Sequence, residues 1–207
     1  METRVSHREV RSVRDFLLEI IMIVVAVLIA LAVDQVRATV HEHHLANEAR
    51  ENFRRELDLE KRALTMYLTQ VSQSQSALQK IVDDSAASLQ SDLKIPDSLI
   101  WQFLPVNAWD SAQATQAFSY MEPAEVQRYA LIHTGQLIFN DFEQKQHELL
   151  MDLYSYAGRK DLTRDEINAR NRDIRRIQNY LVSIDQISHE LLRDFDTRPE
   201  DVARTGS

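Results

Sequence analysis

Residues 16–33, FLLEIIMIVVAVLIALAV, carry a single charge, Glu19, in eighteen positions and contain neither Gly nor Pro. As a helix this stretch is roughly 27 Å long, close to the ~30 Å hydrocarbon thickness of a bilayer. A soluble core helix keeps a polar stripe at helical spacing, and none exists between Ile20 and Val33. The stretch therefore reads as a transmembrane helix, extended to residues 16–36 when the amphipathic exit is included. A cleaved signal peptide is the main competing reading, because Arg4, Arg8, Arg11 and Arg14 precede the run and Ala30-Leu31-Ala32 has the A-x-A form. The run exceeds the about 7–15 residues of a signal h-region, and its leader carries Glu2, Glu9 and Asp15. A retained anchor is the better fit; a buried helix of a soluble protein is the poorest.

Orientation follows from the basic residues. Four Arg lie within residues 1–15, whereas Arg37 is the only Lys or Arg between the span and Arg50. The N-terminal tail, 1–15, is expected in the cytoplasm and the remainder outside, in the periplasm of a bacterial inner-membrane protein. Around the helix, Glu19, Ile23, Ala26, Ala30 and Asp34 are spaced four, three, four and four apart and share one face. Ala26 and Ala30 form a small-xxx-small pair, the pattern that lets helix backbones approach in lipid. This face is the candidate for self-association or for contact with another membrane protein. Snorkelling of Glu19 to the headgroups is the plainer alternative, and an ion path the remotest.

The net charge is −8, and because residues 1–33 hold four Arg and four acids, all of it falls on residues 34–207. An acidic exported domain argues against nucleic acid and against electrostatic docking on anionic lipid, leaving the lipid bilayer itself as partner of the span. There is no Cys, which removes disulfides, thiolate catalysis and thiolate metal sites.

Only three Gly and four Pro punctuate the chain, and from Asp34 to Leu93 there are none. The fold class expected is all-α: one N-terminal transmembrane helix followed by an elongated antiparallel helical bundle over 37–197, with a flexible tail over 198–207. Leu57, Leu64, Val71 and Leu78 repeat at heptad spacing, with Tyr67 or Leu68, Ile81 or Val82, and Leu89 near the other heptad position. Polar gaps at Ser74, Gln75 and Ser85 predict packing against helices of the same domain rather than an unbroken coiled coil. Ile95-Pro96-Asp97 ends this helix. A short helix over Leu99–Leu104, another over Ala108–Tyr120 capped by Asn107, and a long one from Pro123 to about Ala157 follow. The long one is expected to bury Val126, Ala130, Leu137, Phe142, Leu149, Leu153 and Tyr156 and to stop at Gly158, with Gly135 a local weakness. Thr163-x-x-Glu166 has the capping-box form. The helix after it shows the cleanest stripe: Ile167, Ile174, Ile177, Leu181, Ile184, Ser188, Leu191 and Phe195.

Two stretches resemble a group of bacterial single-pass inner-membrane proteins without assigned function. One is Glu19 with Ile29-Ala30-Leu31 and Asp34; the other is Asn107-Ala108-Trp109-Asp110-Ser111-Ala112 with Ala114-Thr115, then Met121, and Val126-Gln127-Arg128-Tyr129-Ala130. In place of the mid-span Gly frequent in that group, this chain has Val25-Ala26-Val27. The resemblance implies a membrane location and no activity.

Candidate chemistry is sparse. His41, His44 and Glu48 share a helix face, but without an HExxH motif a solvated juxtamembrane segment is the simpler reading, and no metal or cofactor is expected. A pH response through these His is a minor alternative. Trp109, with Ala108, Ser111, Ala112 and Ala114 around it, is foremost a core anchor; Trp109, Asp110 and Thr115 together are the candidate partner or ligand surface. Trp101 and Phe103 read as core. Nucleotide-binding loops and nucleophile motifs are missing, and Asp141, Glu143, Asp152 and Asp165 read as solvated helix-face acids. No catalytic residue is assigned and no enzyme is expected. The functional expectation is an oligomeric scaffold or accessory subunit of a membrane complex, with an extracytoplasmic ligand- or pH-sensing module as the alternative.

Overall fold

The structure is a computed structural model; it describes residues 13–87, Ile95, Leu99 and residues 102–197, with side chains described for 16–84 in the first stretch. All regular structure among these residues is helical. The elements are α1 (Val13–Ala87), α2 (Asn107–Ala114), a 3-10 turn (Ala117–Tyr120), α3 (Pro123–Tyr154) and α4 (Arg164–Asp196). The chain divides into two compact units, Met1–Leu45 and Ala46–Ser207.

In the first unit, every described side chain from Phe16 to His41 is exposed. Among the described residues, α1 is the one helix long and apolar enough to cross a membrane, and its apolar window, near the N-terminus, is entirely unburied.

The second unit is built on three long helical segments. On α1 the buried positions Ala46, Ala49, Phe53, Leu57, Glu60, Leu64, Tyr67, Val71, Ser74, Leu78 and Val82 recur at alternating three- and four-residue steps. That is the seam a helix needs to keep one stripe against its neighbours. The expected heptad positions Leu57, Leu64, Val71 and Leu78 all lie in it. Ser74 is buried as part of the seam, its hydroxyl donating to the Gln70 carbonyl at 2.9 Å. The α4 stripe is buried at every expected position, Ile167 to Phe195, with Arg170 added.

Cross-links between side chains fix the helix directions. Arg50 meets Glu125, Glu60 meets Gln136 and Tyr67 meets Glu143, separations of 75, 76 and 76 residues, so α1 and α3 run in the same direction. Lys61 meets Asp196 and Gln79 meets Gln178, so α4 runs antiparallel to α1. It is antiparallel to α3 as well: Arg128 donates to the Phe195 carbonyl, and Phe142 packs on Tyr180 with ring centroids 5.8 Å apart.

Local signals explain the element ends. Pro123 occupies the first turn of α3, where its missing N–H costs nothing. Beyond Tyr154 the chain turns through Gly158 at φ +75°, a conformation that favours glycine. The capping box forms: Glu166 N–H donates to the Thr163 hydroxyl at 3.3 Å, and Thr163 N–H donates to the Glu166 carboxylate at 2.8 Å. Gly135 lies where α3 meets α4; a Cβ there would come within 2.7 Å of Leu191 Cδ2. The glycine is thus a close-approach site rather than a weak point.

Three expectations are corrected. The buried face of α3 is Tyr129, Ile132, Gln136, Phe139, Asn140, Glu143, Gln146, Leu150 and Leu153. Of the expected face only Leu153 is buried, and Leu137 is 50% exposed. The inward stripe is rich in polar residues, of which Gln136, Asn140 and Glu143 hydrogen-bond to α1 or to the strap, so apolar spacing alone did not find it. Residues 102–106 are irregular, not the end of a helix begun at Leu99; Pro105 has no N–H to donate, and the N–H groups of Gln102 and Leu104 go to side chains of α3. The helix expected over Ala108–Tyr120 stops at Ala114, because Gln116 adopts the left-handed conformation at φ 58° before the 3-10 turn. The expectations for Leu89, Pro96-Asp97, Trp101 and residues 1–12 and 198–207 lie outside the described residues, and that for Ser85 concerns a side chain that is not described.

Candidate functional site: a strap latched on buried carboxyl groups

Residues 102–108 form a strap whose backbone is held by side chains of α1 and α3. Three groups hold it. The Gln102 N–H donates to Glu143 Oε2 at 3.1 Å. Asn140 clasps Leu104 from both sides, accepting its N–H at 2.8 Å and donating to its carbonyl at 2.9 Å. The Ala108 N–H donates to Glu56 Oε2 at 3.0 Å. Leu104 is buried and Gln102 half-buried, while Phe103 between them is exposed.

Glu56 also solves a local problem. The N-cap of α2 is Val106, which has no side-chain oxygen to offer the free N–H groups of the first turn. The carboxylate of Glu56, reaching over from α1, caps that turn instead, through Ala108 and Asn107.

Behind the strap lies a layer of buried polar groups. Gln136 Nε2 donates to both oxygens of Glu60, at 2.8 and 2.9 Å. The Tyr67 hydroxyl donates to Glu143 Oε1. Glu143 is 0% exposed, so the expectation that it sits on a solvated helix face is overturned. No salt bridge reaches Glu56, Glu60 or Glu143 among the described residues. Burying an unpaired carboxylate is costly, and the group answers by holding its proton. Burial, against the Gln136 hydrogen bond and with Glu56 one turn away, pushes Glu60 up to about 8. Burial also pushes Glu143 up to about 7, against the bonds from Tyr67 and Gln102. Glu56 is raised by burial, against the Ala108 and Asn107 amides and with help from Asp110. Burial and the Glu143 charge raise Tyr67. Burial thus favours the neutral form of Glu60 and Glu143. Glu143 offers no exposed surface to a substrate. Glu56 lines a cavity of about 500 Å³, together with Asn52, Arg55, Leu59, Pro105 and Ser111.

The residues singled out from sequence lie elsewhere. Trp109 is half-buried. It stacks on His133 with centroids 4.6 Å and planes 7° apart, and lies 4.6 Å from Phe118. Phe118 leads on to Phe53 and Phe53 to Tyr129, stacked at 3.9 Å. Trp109 thus ties α2 to α1 and α3 through an aromatic chain, as an anchor does. Asp110 is exposed; its charge partly offsets the burial that lowers His133. The Thr115 hydroxyl donates to Ser111 O at 2.9 Å and is spent on the end of α2. Glu19, Ile23, Ala26, Ala30 and Asp34 lie on one exposed helix face of the first unit. Among the described residues no group of three or more His, Asp or Glu could hold a metal ion, the His41–Glu48 stretch included.

Glu60 stands where a heptad places it, between Leu57 and Leu64, and that was a readable signal. The strap contacts left no such trace, since they are made to backbone atoms. No family model, no curated protein and no solved structure matches this chain.

Proposed function

We propose that this protein is a membrane-tethered helical module that acts through protein contacts, as an oligomeric scaffold or an accessory subunit of a membrane complex. The observation that carries the reading lies within α1. Its N-terminal stretch is apolar on all sides and wholly exposed, whereas from Ala46 onward it presents a narrow buried seam. A surface of that kind requires a non-aqueous partner, and a bilayer supplies one. The Arg bias of residues 1–15 supports a cytoplasmic N-terminus and a periplasmic bundle in a bacterial inner membrane, and the resemblance noted above supports the same location. The face bearing Glu19, Ile23, Ala26, Ala30 and Asp34 is the contact surface proposed for the span. No catalytic role is assigned to any residue.

Native mass spectrometry of the detergent-solubilised full chain tests the reading. A homo-oligomer or a stoichiometric copurifying membrane protein is expected, weakened by Ala30→Leu and untouched by Leu28→Ala, which lies off the face. A bare monomer that is unaffected by either change would overturn it. A periplasm-active reporter joined after Ser207 should be active; an inactive one would reverse the orientation.

The sensing alternative is favoured by the burial of Glu60 and Glu143 against the neutral partners Gln136 and Tyr67, which raises both carboxyl groups.

A further inference from the structure

We infer that the cavity where α1 and α3 meet the end of α4 binds a small organic monocarboxylate, held by Arg54 and Arg128 against an apolar lining. The inference concerns the second unit alone and does not rest on the tether or the scaffold reading.

The cavity has a volume of about 320 Å³. Its apolar lining is Leu57, Tyr129 and Phe195, one residue from each long helix and all three buried. Three arginines, Arg50, Arg54 and Arg128, and two acids, Asp58 and Glu125, border it as well.

The three guanidinium groups are not equivalent. Arg50 is already engaged: its Nε and Nη2 each donate to Glu125 at 2.9 Å, and its Nη1 donates to Asn47 at 2.9 Å. That forked pair is closed, and its charges cancel. Arg128 is half-buried and only partly engaged. Its Nη2 donates to the Phe195 carbonyl at 2.7 Å, and its guanidinium carbon lies 5.5 Å from the centre of the Tyr129 ring. Its Nε is buried and has no hydrogen-bond partner. Leaving a buried donor of a cation unmet is costly, and an anion beside the same guanidinium offsets that cost. Arg54 is exposed and makes no hydrogen bond or ion pair among the described residues.

Charge and size set the class of ligand. With Arg50 and Glu125 cancelling, Arg54 and Arg128 stand against Asp58, an excess of one positive charge among the described lining residues. Asp194, which Arg128 also influences, has Arg193 at 4.0 Å. A monoanion matches the excess, whereas the second charge of a dianion meets Asp58 and Glu125. The planar fork of arginine suits the two oxygens of a carboxylate, and the apolar lining suits a hydrocarbon body. At ~30 Å³ for each non-hydrogen atom, the share of a water in the liquid, the cavity has room for about ten.

Isothermal titration calorimetry of the full chain in detergent, with sodium benzoate at constant ionic strength, is the test. One saturable site with a Kd below about 1 mM is expected. Benzamide, which has the same shape without the charge, should bind roughly tenfold more weakly or worse. Arg54→Gln, which removes no described contact, should weaken benzoate roughly tenfold. Arg128→Gln should abolish binding; because Arg128 also holds the end of α4, Arg54→Gln decides if that variant does not fold. Lys145→Gln, on a different cavity of α3, should bind like wild type. Phenyl phosphate, a dianion at about pH 8, should bind no tighter than benzoate. Benzoate that does not saturate, benzamide that binds equally, or Arg54→Gln that binds like wild type overturns the inference. Equal losses in Arg54→Gln and Lys145→Gln overturn it too, because the attraction is then general, and tighter phenyl phosphate overturns the choice of a monocarboxylate.

Discussion

One helix, α1, spends its length in two environments, and the contrast between them explains most of what this chain is. Over 16–41 it is exposed all round, and over 16–33 apolar as well, so nothing in its own chain selects one face. From Ala46 it carries charges outside and a seam one or two residues wide inside. The first stretch gains by partition into a medium and needs no register. The second gains by packing against specific neighbours, and there polar residues decide the alignment: Glu60 on Gln136 and Tyr67 on Glu143 are satisfied at one register only. An apolar surface says where a helix goes, and polar residues in an apolar seam say against what.

The largest way to break this comparison is to put an unsatisfied charge into the bundle. Ile184 is 0% exposed at the centre of the α4 stripe. Ile184→Asp should cost about 3–5 kcal/mol and lower the thermal midpoint of the helical signal in circular dichroism by many degrees. A variant that melts with the wild type would mean that α4 does not bury that face.

The next effect depends on pH. Glu60 and Glu143 hold protons in the folded state, at about 8 and about 7, that the unfolded chain releases near 4.5. The folded state therefore binds more protons throughout that window, and stability falls as pH rises through it, levelling off above about 8. Glu60→Gln should flatten part of this slope and make the bundle more stable than wild type by roughly 1–3 kcal/mol at about pH 9, with little change at about pH 5. Denaturant melts at the two pH values measure it. Equal slopes in wild type and variant would show that Glu60 is hydrated in the folded protein.

These two tests also mark where the sequence was readable. The α4 stripe, the α1 heptad and the Thr163 capping box were legible because each is a repeat or a motif along one segment. The α3 face was not, because its inward positions include Gln136, Asn140, Glu143 and Gln146, which any rule based on apolar spacing turns outward. The burial of Gln136, Asn140 and Glu143 makes sense only with Glu60, Tyr67 and the strap backbone in place, groups 36 to 76 residues away. The strap was hidden for a related reason. Its attachments join side chains to amides, and amides are the same in every residue.

A smaller effect belongs to Gly135. Alanine there gains helix propensity of about 1 kcal/mol but presses on Leu191, whereas valine adds two methyl groups where even a Cβ lies 2.7 Å from Cδ2. Gly135→Val should lose about 1–3 kcal/mol by denaturant titration, with Gly135→Ala much closer to wild type. If valine is tolerated as well as alanine, α3 and α4 do not touch at this point.

The smallest expected effect sharpens the contrast most, because it applies one substitution to one helix in its two environments. Leu64 is 0% exposed and Leu28 is 59% exposed, both on α1. Leu64→Ala removes packed methyl groups from the seam and should cost about 2–5 kcal/mol in the melting of the bundle. Leu28 faces detergent or lipid tails whether the bundle is folded or not, so the lost transfer energy is the same in both states and cancels. Leu28→Ala should shift that melting by less than about 0.5 kcal/mol. The measurement is a pair of circular dichroism melts in one detergent. A Leu28→Ala loss comparable to that of Leu64→Ala would mean that the N-terminal stretch is packed in a protein interior, and that the exposed surface on α1 belongs to a partner helix rather than to lipid.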